Sequence, residues 1–240
     1  MTLPHFKSSL NLKTILICFL FCLEWGFVSV ASAALDEGID YARIEPAQPT
    51  ANPDKIEIVE LFWYGCPHCF SLEPHLTRWL AKKADDIEFI RIPAGFNAVW
   101  LLHAKTYYVA QELGVLDKIH QPLFEAIHSK NRKLDTLQAL ADFFAEQGVN
   151  KEAFYKAFNH SFFVHTQSQR STIMPDRYGI TGVPALIVNG QYRLTAQMAG
   201  GSNENLMKIL DEVIARVRQE KIKPPVEVAA PVAPAPAPQP

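Results

Sequence analysis

Cysteine is scarce in this chain, four residues in 240, and two of the four lie where a mature protein would not keep them. Residues 1–33 start weakly basic (His5, Lys7, Lys13), run apolar from Ile15 to Val30 and end in Ala31-Ser32-Ala33 ahead of Ala34. That is the pattern of a secretory signal peptide with a small-residue cleavage site. Glu24 interrupts the apolar run, which argues against a stable membrane span. Phe21 precedes Cys22 where a lipoprotein signal would have a small residue. Cys18 and Cys22 leave with this segment, so the exported chain keeps only Cys66 and Cys69. A bridge across so small a loop restricts the unfolded chain very little, and a disulfide-stapled scaffold is excluded. No second Cys-x-x-Cys and no suitably spaced histidine pair completes a four-ligand zinc site. Redox chemistry is what remains for the pair.

A strong charge excess is missing too. The 207 residues from Ala34 onward carry a formal charge of −3, which implies neither nucleic acid nor an anionic membrane surface as a partner. There is no internal repeat. The length suffices for a full core, or for a core with a large insertion.

What the chain does have is concentrated between Ile56 and Leu80. Ile56 to Tyr64 is a nearly unbroken apolar and aromatic run, the pattern of a strand covered on both faces. Gly65 ends it. From Cys66 onward Cys69, Leu72, Leu76, Trp79 and Leu80 recur at helical spacing, which puts Pro67 in the first turn, where its missing N–H costs nothing. The cysteine pair therefore opens a helix. The first N–H groups of a helix lack internal partners and favour negative charge, and a thiolate is such a charge. Cys66 is thus expected to be the more exposed sulfur, nucleophilic and with a lowered pKa, and Cys69 the inner one that resolves a mixed disulfide. His68 between them would add cationic character as an imidazolium. Further on, Pro74 falls inside the helix, where it removes one backbone hydrogen bond and bends the axis.

Asp86 and Ile87-Glu-Phe-Ile-Arg-Ile92, closed by Pro93, predict a second strand. Strand, helix and strand form one crossover unit with the cysteines at the first strand's carboxyl end. Asn97 to Thr172 is wholly helical in pattern, with four helices predicted over Trp100–Leu113, Leu116–Ile127, Leu137–Ala145 and Ala153–Phe158. Its aromatic density, including Phe143, Phe144, Phe162 and Phe163, is read as core. The histidines at 103, 120, 128, 160 and 165 show no metal spacing and are expected to be solvated or capping. Val183 to Val188, Asn189-Gly190 and Gln191 to Leu194 predict a hairpin with a two-residue turn. Ser202 or Asn203 caps a last amphipathic helix. Seven prolines in the final seventeen residues read as a solvated, polyproline-like tail.

Cys66-Pro67-His68-Cys69 after an apolar strand carrying Glu60, followed far downstream by Gly182-Val183-Pro184-Ala185, strongly resembles the DsbA family of bacterial periplasmic dithiol oxidases. The likeness covers about residues 38–218. It implies an α/β, thioredoxin-like fold with an inserted helical subdomain: first part 34–96, insertion 97–172, second part 173–222, and a Pro/Ala-rich tail at 223–240. In this family a low thiolate pKa and a strongly oxidising disulfide are known properties, so here they come with the resemblance. The resemblance also makes Ile39–Ile44 an edge strand and Pro184 a cis proline lying against the cysteine loop, with the Val183 backbone free to pair with an extended substrate.

Two of the charged residues in the apolar strands need an account. Glu60, mid-strand beneath the cysteines, must be protonated or paired if buried. By resemblance it is the proton acceptor for Cys69. Arg91 stands about where the family often has a buried lysine, a departure that leaves the pairing open.

The expected activity is oxidation of newly exported, unfolded polypeptides with free cysteines in the periplasm by a Cys66–Cys69 disulfide, without flavin, haem or metal. A quinone-linked membrane partner of the DsbB type would reoxidise the pair, and a monomer is expected. A disulfide isomerase, a reductase and a peptide-binding chaperone are the alternatives.

Overall fold

The computed structural model describes residues 35–222; the segments expected to be a signal peptide and a Pro/Ala-rich tail lie outside the described residues. In chain order the elements are β1 (Ala42–Arg43), β2 (Ile56–Phe62), α1 (Pro67–Leu80), β3 (Ile87–Pro93), α2 (Ala98–Glu112), α3 (Leu116–His128), α4 (Leu137–Glu146), α5 (Lys151–His160), α6 (Phe162–Arg177), β4 (Ala185–Val188), β5 (Tyr192–Thr195) and α7 (Asn203–Ile222). The strands form one mixed sheet in the order β1-β5-β4-β2-β3. β2 is parallel to β3 and antiparallel to β4, so both of its edges are paired and all seven of its residues are buried. This is the thioredoxin-like architecture that the sequence led us to expect.

Side-chain alternation along β2 divides the core. Ile56 and Ile58 face Leu72 and Leu76 of α1 together with the apolar stripe of α7, from Leu206 to Val217. Val59 and Leu61 point the other way, against Ile92, Tyr178, Ile180 and Ile187. Phe62, the last residue of β2, and Tyr64 just beyond it pack with both cysteines into the core of the helical region, which contains Phe124, Phe143, Phe144 and Phe154. The cysteine loop is therefore roofed by helices that come from a different part of the chain.

Several expectations need correction. The segment expected as a strand over Ile39–Ile44 is reduced to two ladder residues, paired with β5, and an isolated bridge at Tyr41. A fifth helix of the helical region, α6, was not among the four predicted; it continues to Arg177, past the expected end of the insertion at residue 172. Its buried stripe is Val164, Ser168, Ser171 and Pro175, a helical spacing in which two serines and a proline stand where apolar residues would be looked for, so hydropathy gives little signal. Phe162, read as core, is 83 % exposed. The hairpin pairs Val188 with Tyr192 and leaves three residues in the connection, although Gln191 N–H still closes a tight turn on Val188 O at 3.0 Å. Asn189 and Gly190 both have positive φ there, and a Cβ on Gly190 would meet Gln48 O at 2.0 Å.

Candidate active site

The strand-to-helix turn is shaped by packing. Trp63 folds its ring over Gly65, where a Cβ would lie 2.3 Å from the indole, and stacks on Trp100 of α2 at 4.2 Å. The turn leaves Cys66 as the N-cap residue of α1, with Pro67 as the first helical residue. Cys69 N–H donates to Cys66 Sγ at 3.4 Å, the contact a serine or aspartate oxygen makes at an ordinary N-cap. Both sulfurs are free thiols in this structure. Cys69 is fully buried, and Cys66 is the more exposed sulfur, as expected, but at only 6 % because Val183 and the helical region pack around it.

The two sulfurs differ sharply in charge preference. A hydrogen bond from Cys69 outweighs the cost of burial at Cys66; backbone N–H groups of Cys69 and His68 and the His68 charge add to it, and the thiol pKa falls to about 6. Cys69 moves the opposite way, raised by burial, by Cys66 and, where it is ionised, by Glu60. At neutral pH the pair therefore holds one thiolate and one thiol, the division of labour that thiol–disulfide exchange requires.

Around Cys66 the chain brings together residues from both ends of the domain. The Cys66 thiol donates to Val183 O at 3.4 Å, and the Val183–Pro184 peptide bond is cis. His68 and Ser71 of α1, Gly179 to Pro184, Arg193 and Met198 line an open groove of about 800 Å³ beside the sulfur. Pro67 and His68 are exposed, and His68 lines the groove.

Beneath the sulfurs lies a buried polar chain. Glu60 is fully buried; Arg91, its direct ladder partner on β3, donates from Nε to Glu60 Oε2 at 2.8 Å. Arg91 Nη2 also reaches Glu73 of α1, at 3.1 and 3.4 Å from its two oxygens. His120 of α3 lies between Glu73 Oε1, 3.3 Å from Nε2, and the Tyr64 hydroxyl, 2.9 Å from Nδ1. Burial, partly offset by Arg91, raises Glu60 to about 8. At Glu73 burial is overcome by His120 and Arg91, and its pKa is lowered. Burial lowers His120 and raises Tyr64, so both are neutral near pH 7. The pairing of Arg91 that the sequence left open is thus shared by two carboxyls. Glu73, His120 and Tyr64 were not singled out from sequence. His103 and His120, expected to be solvated or capping, are instead 4 % and 8 % exposed, because each finds a buried acceptor: His103 the Leu134 carbonyl at 2.8 Å, His120 the Glu73 carboxylate. Among the described residues no group of three or more His, Cys, Asp or Glu is placed to hold a metal ion.

Known proteins resemble this chain in sequence and fold. A model of the family described as "DSBA-like thioredoxin domain" matches residues 93–210. The thiol:disulfide interchange protein DsbA of Azotobacter vinelandii is 39 % identical over 199 residues, covering 83 % of this chain and 92 % of its own. The chain belongs to the DsbA family. The Pseudomonas aeruginosa DsbA sequence is 40 % identical over 181 residues, 75 % of this chain and 85 % of its own. The crystal structure of P. aeruginosa DsbA superposes with a TM-score of 0.74 at 38 % identity, covering 79 % of this chain and 97 % of that one. The DsbA structure from Xylella fastidiosa gives 0.69 at 34 % identity, over 75 % of this chain and 96 % of that one. This DsbA-family chain is accordingly a thiol:disulfide oxidoreductase.

Proposed function

We propose that the protein is a periplasmic dithiol oxidase that passes a Cys66–Cys69 disulfide to newly exported, unfolded polypeptides. The observation that carries the direction of transfer is the contrast between the two thiols. A thiolate held at about pKa 6 in the reduced form makes Cys66 a good leaving group and its disulfide easy to reduce.

In the forward reaction a substrate thiolate attacks Cys66 Sγ and the Cys66–Cys69 bond breaks. Cys69 departs as a thiolate inside the protein, where burial makes it bind a proton. Glu60, protonated near neutral pH, supplies that proton; in reoxidation, with the direction reversed, it accepts one from Cys69. A second substrate thiolate then attacks the mixed disulfide at the substrate sulfur. Cys66 leaves as a thiolate, the substrate is oxidised by two electrons and the enzyme is reduced. During the exchange the substrate backbone lies along the groove and pairs with the peptide at Val183, beside Pro184. Turnover needs an oxidant, in this reading a quinone-linked membrane protein of the DsbB type. No metal, flavin or haem enters the cycle, and the chain acts as a monomer.

Oxidised protein mixed with a reduced, unstructured peptide containing two cysteines tests the reading. Stoichiometric appearance of the peptide disulfide, with equal loss of the protein's own, is expected; binding without transfer, surviving Cys66→Ser and Cys69→Ser, would instead indicate a chaperone.

A further inference from the structure

Two buried carboxyls share one guanidinium, and their surroundings are unequal in a way the strand and helix alone do not explain. Glu60 Oε2 accepts only from Arg91 Nε, and Glu60 Oε1 is buried without any hydrogen-bond partner. Glu73 accepts three contacts, two from Arg91 Nη2 and one from His120 Nε2. An anion settles where donors are most numerous, and a carboxyl with a bare buried oxygen holds its proton. The contact that separates the two comes from α3, in the helical region.

The tautomer of His120 follows from its neighbours. Tyr64 is buried and keeps its proton, so its hydroxyl donates to Nδ1. The imidazole proton must then sit on Nε2, facing Glu73 Oε1. Four rings, Phe62, Tyr64, Tyr107 and Phe124, pack around the imidazole within 6.0 Å between centroids and hold it in this orientation. The titratable or charged groups near it are Glu73 on α1, Arg91 on β3, Tyr64 in the turn, Tyr107 on α2 and Asp117 on its own helix. Those around Glu60 are Arg91, Glu73, Cys69, Tyr64 and Tyr107.

We propose that His120 is a positioning residue: by donating to Glu73 it makes Glu73 the permanent anion of the pair and leaves Glu60 as the carboxyl that carries the exchangeable proton under the cysteines. The opposite directions of the two carboxyl shifts agree with this assignment. Its importance for turnover rests on the role given above to Glu60, but the assignment of the proton stands apart from that role. It also gives the helical region a part in the chemistry, because one of its side chains orders the protons of the sheet domain.

Histidine amide isosteres separate the two ring nitrogens. Glutamine can present its amide N–H where Nε2–H lies, and asparagine can present its oxygen only where Nδ1 lies. Carboxyl-labelled glutamate followed by carbon-13 NMR against pH in the full-length oxidised protein, with Glu60→Gln and Glu73→Gln for assignment, reads both titrations free of the thiols. In the wild type and in H120Q, Glu60 is expected to titrate well above Glu73. In H120N the gap should narrow, with the proton affinity of Glu60 falling by about tenfold or more, one pH unit. A wild-type gap in H120N, or equal effects of the two substitutions, would overturn the proposal. Nitrogen-15 shifts of His120 in the unaltered protein provide a check that needs no variant: a neutral Nε2–H tautomer at pH 7 is expected, and an Nδ1–H tautomer or an imidazolium would refute the assignment. If Glu60→Gln leaves the pH dependence of Cys69 release unchanged, the catalytic role of Glu60 fails, while the NMR result still decides the role of His120.

Discussion

At the rim, against the groove-lining Val183, Cys66 meets the Cys69 thiol and the backbone N–H groups of a helix start, whereas one layer below, Glu60, Arg91, Glu73, His120 and Tyr64 meet one another. The rim stabilises a negative charge with the Cys69 thiol first and then with the backbone N–H groups of the helix start, all within one turn of the chain. The floor stabilises charge with side chains from β2, β3, α1, α3 and the turn, and any one of them can be removed by substitution. Thiolate chemistry at the rim should therefore tolerate changes around it, while proton traffic at the floor should be fragile.

The contrast breaks most completely at the sulfurs themselves. Cys66→Ser is expected to abolish exchange, because no thiolate remains at the groove. Cys69→Ser has no internal disulfide to donate; challenged with oxidised glutathione, its Cys66 thiolate should attack one sulfur, release glutathione thiolate and keep a mixed disulfide, visible as a covalent adduct by mass, since nothing inside displaces it. An adduct that cleared as fast as in the wild type would mean that Cys69 is not the resolving thiol.

Removing the cation from the floor comes next. Arg91→Leu leaves Glu73 without its countercharge, and breaking a buried pair from one side costs about 3–5 kcal/mol, so unfolding should move to much lower denaturant. An unchanged midpoint would show that the guanidinium adds nothing to the floor.

Glu60→Gln sharpens the comparison through pH. Glu60 is raised in the fold to about 8 from about 4.5, so the folded protein keeps a proton that the unfolded chain gives up. Its contribution is fully present below about 4.5 and is lost as pH rises towards about 8. The variant should therefore match the wild type near pH 4 and exceed it by an amount on the order of 4 kcal/mol at pH 8. A constant difference across this range would place the titration elsewhere. For Cys66 the sign is reversed: its lowered pKa stabilises the reduced form most above the unfolded thiol's pKa, and that gain is lost as pH falls through about 6. Alkylation of Cys66 should show the same midpoint, with Cys69 unreactive in the native protein.

The smallest effect is expected at His68. Its side-chain charge ranks behind the Cys69 contacts and its own backbone N–H in lowering the Cys66 pKa. His68→Ala should raise the alkylation midpoint by about one unit or less and lower the disulfide's potential by about 30 mV or less. A larger loss would transfer credit from the helix start to the imidazole.

The same division decided what could be read from sequence. The rim is contiguous: strand, Gly65, Cys66, Pro67 and Cys69 lie within a few positions, and their spacing alone gives an N-cap thiol and an inner thiol. The floor is assembled across distance. Glu60 and Arg91 were conspicuous as charges in apolar strands, but their pairing depended on the β2–β3 register. Glu73 looked like any polar residue on a helix, and His120 like one of several scattered histidines; only the packing of α3 over α1 and the turn makes them neighbours. The four apolar helices were legible from periodicity. α6 was not, because its buried face uses Ser168 and Ser171 where another helix would use leucine.

The central claim is that the chemistry at Cys66 makes the disulfide a strong oxidant. Equilibrating the protein in graded glutathione buffers and following fluorescence measures this directly, since Trp63 adjoins the pair, its carbonyl accepting from Cys66 N–H at 3.0 Å. The account predicts a potential well above the glutathione couple, with the protein largely reduced even in oxidising mixtures. A thioredoxin-like reducing potential would contradict it and make this protein one that breaks disulfides.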